Sequence, residues 1–381
     1  MTKKTYIKKQ YFINVAESCG RDTTEMLKQF QKDGHTIKMQ ALKHRLKKFI
    51  VKGYLTLDSG NKVSLGEALK GTSTLYADDG SIKMQWVKSD VDAETRIAAI
   101  EATIEELAST ITPIQEIPKP TLISNEDLAT VYISNDVHLG LLTEKVETGT
   151  NWNLEEGVAA LKSSYDHLFT TSPDSRVGIV LDLGDLTEAD GFRNSTAKSS
   201  NPLDISNRFP VVLRAAYESL IYAVNLALLK HEIVYFYNVE GNHDNANSVA
   251  IREILRQTFR DNPRVIVDDL SSSIKYHQHG QTLLGFAHGD GLKMAKAGEA
   301  MAIDCQDIFS ETQHRFFHFG HYHVDAVRDS AICRSESHRN LPPQNHWANS
   351  MGYRRGIGTM KSVTYSSSLG EVSRSLFNII H

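Results

Sequence analysis

The chain has 381 residues, 40% of them hydrophobic and 23% charged, with a formal net charge of -4. That length supports a large core plus a second, smaller domain, and the near-neutral charge excludes a global pull toward nucleic acid. Three scattered cysteines, Cys19, Cys305 and Cys333, form no CxxC pair, which excludes a disulfide framework and a zinc ribbon and points to a reducing, cytoplasmic setting. The first residues contain no apolar stretch of a secretory signal. No apolar run approaches the ~20 residues of a membrane span, so no membrane partner is expected.

Up to about Lys52 the chain is rich in Lys and Arg, with few acids among them. Apolar residues such as Val15, Met26, Phe30, Leu42, Leu46 and Phe49 recur at mostly helical spacing. Asp33-Gly34 interrupts the pattern. The order predicts two or three short helices with a turn at Lys32–His35 and a basic amphipathic helix over Thr36–Phe49. That is a helix-turn-helix arrangement whose candidate recognition helix would meet DNA; the plainer reading is a solvated basic face on a small helical domain.

Gly53–Val91 changes character. Leu55, Leu57, Val63 and Leu65 around Asp58–Asn61 predict one hairpin, and Thr72–Tyr76 with Ile82–Val87 around Ala77–Gly80 predict a second. Helices followed by hairpins suggest a winged helix over residues 1–91. Asp92–Ile111 is acidic and helical, with Ile97, Ile100, Ile104, Leu107 and Ile111 forming a seam of about two heptads. It could pair two copies of the chain or dock on the protein itself. Pro113, Pro118 and Pro120 end this linker, residues 92–120.

From residue 121 to 381 strands and helices alternate: helices over Leu154–Thr170, Ile205–Lys230 and Ala246–Arg260 lie between apolar strands, and the chain turns strand-rich after Val265–Val267. The expectation is an α/β (α+β) domain, a two-sheet sandwich with helices outside.

Five predicted strands end in metal-type ligands. Val131–Ser134 leads to Asp136 and His138, Val177–Leu183 to Gly184-Asp185, and Ile233–Tyr237 to Gly241-Asn-His-Asp244. Thr282–Ala287 leads to His288, and Phe316–Phe319 to Gly320-His321-Tyr-His323. Strand C-terminal ends are where open α/β sheets place their chemistry. One such end is an ordinary polar turn; five in one chain are not. Asp136, Asp185 and Asn242 offer hard oxygens, and His138, His288, His321 and His323 offer imidazoles, a set suited to Mn, Fe or Zn. Seven ligands are too many for one ion. Two ions sharing Asp185 would use them all, and paired ions about 3.5–4 Å apart serve phosphoester hydrolysis. His243 would protonate the leaving oxygen, with Asp244 or a neighbouring carbonyl fixing its tautomer.

These motifs, in this order, resemble the five motifs of the calcineurin-like metallophosphoesterase superfamily. The resemblance implies a β-sandwich flanked by helices, with Asp136, His138, Asp185 and His323 around one metal and Asp185, Asn242, His288 and His321 around the other. It also gives His243 the catalytic histidine role. Two divalent ions are implied, Mn first, with Fe, Zn or Mg as alternatives. Within the superfamily the chain looks most similar to the DNA-repair exonuclease branch in a form carried by bacteriophages, and Gly71–Tyr76, Asp79-Gly80 and Lys83–Lys88 resemble a segment of phage DNA-handling proteins. That would place it in a bacterial host's cytoplasm. The branch often has a second histidine a few residues after the Gly-Asp motif, touching the scissile phosphate; here Glu188 stands there, and its carboxylate is expected to repel that phosphate.

Other candidates concern substrate. Asn201–Asp204 and Arg208 could line the cleft, or form a loop stapled to the following helix. Trp347, Tyr353 and Arg354 could stack a base and hold a phosphate, or be a packed Trp beside solvated polar groups. His277, His279, His314, His318 and His338 lack ligand spacing and read as structural or exposed. The leading expectation is a metal-dependent phosphodiesterase acting on nucleic acid, most simply DNA. The alternatives are a phosphatase or small-molecule or cyclic-nucleotide phosphodiesterase, and a DNA-binding protein with a vestigial phosphoesterase core.

Overall fold

The computed structural model describes residues 9–379 apart from 20–22, 36, 52–66, 77–81, 92–116, 121–124, 193, 197–200 and 353–356. The chain divides into two compact units, Met1–Ala102 and Thr103–His381. The expected hairpin around Leu55–Leu65 and the heptad seam of residues 92–111 lie outside the described residues.

In the first unit, α1 (Lys9–Ser18), α2 (Thr23–Lys32) and α3 (Met39–Val51) enclose Phe12, Val15, Met26, Phe30, Leu42, Leu46 and Phe49. All but Phe12 are residues whose helical spacing is apparent in the sequence. Gly34, at φ 78, makes the turn before α3, and α3 begins at Met39 rather than Thr36. The side chains of Lys28, Lys32, Lys38 and Lys43 are exposed. Strands β1 (Glu67–Tyr76) and β2 (Ile82–Val91) pair antiparallel, with Thr72 opposite Val87.

The second unit is built on two sheets. The first runs β13-β12-β3-β4-β5-β6, with β3 (Asn125–Ser134), β4 (Ser175–Asp182), β5 (Ile233–Asn238) and β6 (Val265–Val267) parallel and β12 (Gly358–Ser366) and β13 (Gly370–Ile379) antiparallel beside them. The second runs β10-β11-β9-β8-β7. Here β8 (Thr282–Ala287), β9 (His314–Phe319) and β11 (Arg334–Ser337) are parallel, and β7 (Ile274–His279) and β10 (Ala326–Asp329) form antiparallel edges.

Alternation along each strand decides which layer it feeds. Val131 and Ile133 of β3 join Ile179, Leu181, Leu284, Phe286, Val363 and Tyr365 between the sheets. Tyr132, between them in sequence, instead joins the layer formed by α4 (Leu154–Thr171), α5 (Phe209–Lys230) and α6 (Asn245–Thr258). On the far side of the second sheet, Met301 of α7 (Ala297–Asp304) packs with Leu283, Phe317 and Phe319. The expected sandwich with outer helices is thus observed. Helix α5 starts at Phe209, four residues later than the periodicity suggests, with Pro210 in its first turn. By length and composition alone it is also apolar enough to cross a membrane, although Arg214 and Glu218 interrupt its apolar residues. Its buried face, including Val212, Leu220, Val224 and Leu228, forms part of the domain core.

Candidate metal centre

Strands β3, β4 and β5 run parallel as neighbours, so the residues following them emerge at one edge of the first sheet. Strands β8 and β9 do the same for the second sheet. The five ligand-bearing turns meet there. The backbone turns abruptly at most of them: Asp136, His138, Asp185, His321 and His323 have φ between 44 and 68. Among the described residues these are the only non-glycine positions with positive φ. L-residues avoid that region at a cost of about 1–2 kcal/mol each, so its confinement to proposed ligands marks a functional constraint. Gly184, at φ 91, permits a close approach: a Cβ there would lie 2.8 Å from the Gly241 amide nitrogen and 2.9 Å from His288 Nδ1.

Three groups of potential ligand atoms result among the described residues. Asp136, His138 and His323 form the first, Asp185, His288 and His321 the second, and His138, Glu188 and His243 a third that shares His138 with the first; within each, the atoms lie within 4.8 Å of one another. Asn242 Oδ1 is 3.1 Å from His288 Nε2, which places it with the second group. Asp185 Oδ2 is 3.2 Å from the same nitrogen. The first two groups are tied together, since the His321 backbone amide donates to the Asp136 carboxylate, at Oδ2, at 2.8 Å.

The site calls for positive charge. Asp136 and Asp185 are buried, which alone would favour their neutral forms. Neighbouring imidazoles overturn this and hold both carboxyls below the usual range. In return His138 and His288 are pushed up to about 9 and about 10, against the effect of burial, chiefly by Glu188 and Asp185 respectively. Asp136 Oδ1 and His323 Nε2 are 3.2 Å apart, yet Asp136 Oδ1 and His138 Nε2 are buried without a hydrogen-bond partner. Buried polar atoms left unmatched are costly, and lone pairs converging on one point are what a cation requires. The Leu183 carbonyl takes His288 Nδ1 at 2.8 Å, leaving its Nε2 facing Asp185 and Asn242. Oxygen and imidazole donors in this mixture fit a divalent first-row metal.

No protein-family model matches the chain, and no curated protein matches it. Among solved structures it is similar to an archaeal phosphodiesterase (11% identity, TM-score 0.33, covering 66% of this chain and 99% of that one). It is also similar to the 5'-nucleotidase precursor of Thermus thermophilus (10%, 0.33, 66% and 54%). A third likeness is to Vps29 of Entamoeba histolytica in complex with zinc (12%, 0.26, 65% and 98%). Likeness this distant says nothing of activity.

His243 stands just before α6 with its amide donating to Asp185 Oδ1 at 2.7 Å. Its Nδ1 meets the Glu188 carbonyl at 2.8 Å, so Nε2 is the nitrogen free to act. Of the two tautomer-fixing groups expected, the carbonyl is the one in contact. Asp244 is turned the other way: it accepts the amides of Asp185 at 3.1 Å, Leu186 at 2.7 Å and Gly241 at 3.0 Å. It is a brace for two motif loops, not a group facing a reacting atom, and its carboxyl is pushed up to about 7 by burial and the charge of Asp185. Grouped with His243 as a catalytic residue for fixing that ring's tautomer, Asp244 is corrected to a brace of the loops: the tautomer-fixing contact falls to the Glu188 carbonyl.

Glu188 requires a second correction. Its residue is 2% exposed and its Oε2 lies 2.7 Å from His138 Nδ1, beside that nitrogen rather than in line with it. Burying a carboxylate without a partner costs several kcal/mol, and His138 is the partner. Glu188 is not a free negative charge presented to a phosphate. Two positions not singled out in the sequence also support the loops. Asp190 accepts the amides of Ala246 and Asn247 at the start of α6. The Asn135 side chain donates to the His338 and Arg339 carbonyls. Polar residues of these kinds carry no local signal, because their partners lie far away in sequence.

The substrate candidates are less gathered. Arg208 is exposed just before α5. Leu203 and Ser206 donate to the Asn194 and Gly140 carbonyls, and Asp204 accepts from the Leu142 amide, so this loop is pinned to the turn beyond His138. Trp347 belongs to the short helix His346–Ser350, where Asn345 Oδ1 accepts the Ala348 amide. The Trp347 side chain, Tyr353 and Arg354 lie outside the described residues. His318 and His338 are buried and meet each other at 2.9 Å, and His277 meets the Tyr237 hydroxyl at 3.0 Å. Their roles are structural. All three cysteines are free thiols.

Proposed function

We propose that this protein is a dinuclear-metal-dependent phosphodiesterase of the calcineurin-like superfamily that hydrolyses nucleic acid, most directly DNA. The observation that carries the hydrolase reading is the pair of buried Asp/His clusters, each spanning both sheets, with Asp185 hydrogen-bonded to the catalytic histidine's own backbone.

Asp136, His138, Asp185 and His323 would hold one cation, and Asp185, Asn242, His288 and His321 the other. Bound there, such a pair would supply Lewis-acid polarisation of a phosphoryl group and lower the pKa of water. The chain's own part is positional. Asp136 and Asp185 set the charge of the site, and the Leu183 carbonyl keeps His288 Nε2 aimed inward. The Glu188 carbonyl fixes the His243 ring, so that its Nε2 can deliver a proton to the leaving oxygen or bind developing charge. Mn is the cation we favour, since carboxylate, amide and imidazole donors without thiolate suit it.

The nucleic-acid assignment rests on the first unit. Its three-helix core presents exposed Lys28, Lys32, Lys38 and Lys43 on a chain whose net charge is -4. Exposed lysines in this number would hold phosphates by charge, although Lys28 is also paired with Glu25 at 2.8 Å. We place the activity in the cytoplasm of a bacterial host, and the heptad seam of residues 92–111 would either pair two copies of the chain or dock on the protein itself.

The test is direct. The full chain is incubated with Mn²⁺ and, in parallel, linear DNA, an aryl phosphodiester and an aryl phosphomonoester. Cleavage of DNA and diester is expected. DNA left intact while the monoester is rapidly consumed would replace the nuclease reading with a phosphatase. Removing the first ~90 residues should weaken DNA binding and spare diester hydrolysis; unchanged affinity at matched salt would remove the delivery role.

A further inference from the structure

Glu188 is placed where a single residue reaches two functional imidazoles by different atoms. Its side-chain Oε2 is 2.7 Å from His138 Nδ1, and its main-chain carbonyl is 2.8 Å from His243 Nδ1. The two rings meet edge-on with centroids 4.9 Å apart. The segment is rigidly set. The Glu188 amide donates to the Leu139 carbonyl, the neighbouring Thr187 hydroxyl accepts from Asn247 Nδ2, and Asp190 caps α6. His138 thus lies between two buried carboxylates, with Nδ1 beside Glu188 and Nε2 toward Asp136, 4.0 Å from its Oδ1.

We propose that Glu188 is the positioning residue of this centre: its buried carboxylate commits His138 to present Nε2 to a divalent cation, while its carbonyl independently fixes the acid His243. This rests on the metal-centre reading above. A negative charge beside the far nitrogen of a ligating imidazole makes Nδ1 the protonated nitrogen and strengthens Nε2 as a donor. Charge attraction of this kind does not need the alignment of a hydrogen bond, and burial keeps it strong. The side chain and the carbonyl therefore serve separable ends. Removing the carboxylate should weaken one cation site while leaving the His243 contact, which belongs to the main chain.

The experiment is calorimetric titration of Mn²⁺ into chelator-stripped full-length protein, comparing wild type with Glu188→Gln and Glu188→Ala at one pH. Two binding events are expected in the wild type. One of them should weaken roughly 10-fold in the Gln variant and up to about 100-fold in the Ala variant, with the other event within about two-fold of wild type. Unchanged affinity in both variants, or equal loss at both sites, overturns the proposal. A wild type that takes up no Mn²⁺ would instead remove the metal-centre reading itself. A second measurement does not depend on a variant folding. In wild-type protein loaded with zinc, a diamagnetic stand-in, and labelled with ¹⁵N-histidine, the His138 signal should report a proton on Nδ1. A proton on Nε2 would overturn the assignment.

Discussion

Asp185 reaches two motifs with one carboxylate: its Oδ1 accepts the His243 amide at 2.7 Å, and its Oδ2 stands 3.2 Å from His288 Nε2. Asp185→Asn keeps an oxygen for the amide but removes the charge that a shared ligand must supply. Metal content measured by plasma mass spectrometry should fall from about two ions per chain to one or fewer, with turnover down on the order of 10²-fold or more. Full metal content in the variant would show that Asp185 is not shared.

His243 has its Nδ1 occupied by the Glu188 carbonyl, and it belongs to neither of the two proposed ligand sets. His243→Ala should therefore retain both metals and lose about 10²–10⁴-fold in kcat toward an aryl phosphodiester. Metal analysis of the same sample is the check, because lost metal would make His243 a ligand.

Gly241 passes so close to Asp185 that an added Cβ would collide with both Oδ1 and the amide nitrogen of that residue. Neither can retreat without moving the centre. Gly241→Ala should lower unfolding stability by about 1–3 kcal/mol in denaturant melts and weaken Mn²⁺ uptake. Gly291, which has open space where its Cβ would go, is the matched control and should be close to neutral.

His231 supplies a pH prediction away from the metals. It is fully buried, with Nε2 at 2.9 Å from the Tyr132 hydroxyl and Nδ1 at 2.7 Å from the Ser175 carbonyl. Burial pushes it down to about 4. The folded value lies below the unfolded value near 6.5, so the unfolded chain binds the extra proton. The neutral ring's stabilisation is complete above pH 6.5 and is lost as pH falls toward 4, at up to about 1.4 kcal/mol per pH unit. His231→Gln should flatten the fall in unfolding free energy between pH 6.5 and 4.5. An unaltered slope would mean that other groups dominate it.

Much of this was legible in the sequence where the signal is local. Thr282–Ala287 is a strand with the bounds its apolar run suggests, and the helix after Asn153 starts where Asn153 Oδ1 caps Glu155 and Glu156. The ligand-bearing turns were readable because each sits directly behind an apolar strand. What the sequence could not yield were relationships between distant segments. Asp244 looked like a partner for its neighbour His243, but its carboxylate braces Asp185 and Leu186, 59 and 58 residues away. Glu188 looked like a charge facing substrate until burial placed it against His138, from a different strand end. The late start of α5 reflects Pro210, a local cue that helical periodicity had overrun.

The left-handed backbone at Asp136, His138, Asp185, His321 and His323 carries one more implication. Glycine or asparagine would relax each of these positions, and neither could donate the same group from the same place. The conformational cost is therefore tied to the side chains that the proposed cations need, and a substitution that relaxed the backbone would remove a ligand at the same stroke. Relatives that shed the chemistry would have no reason to keep those five twists, and their loss would be the first mark of a core that had become mere scaffold.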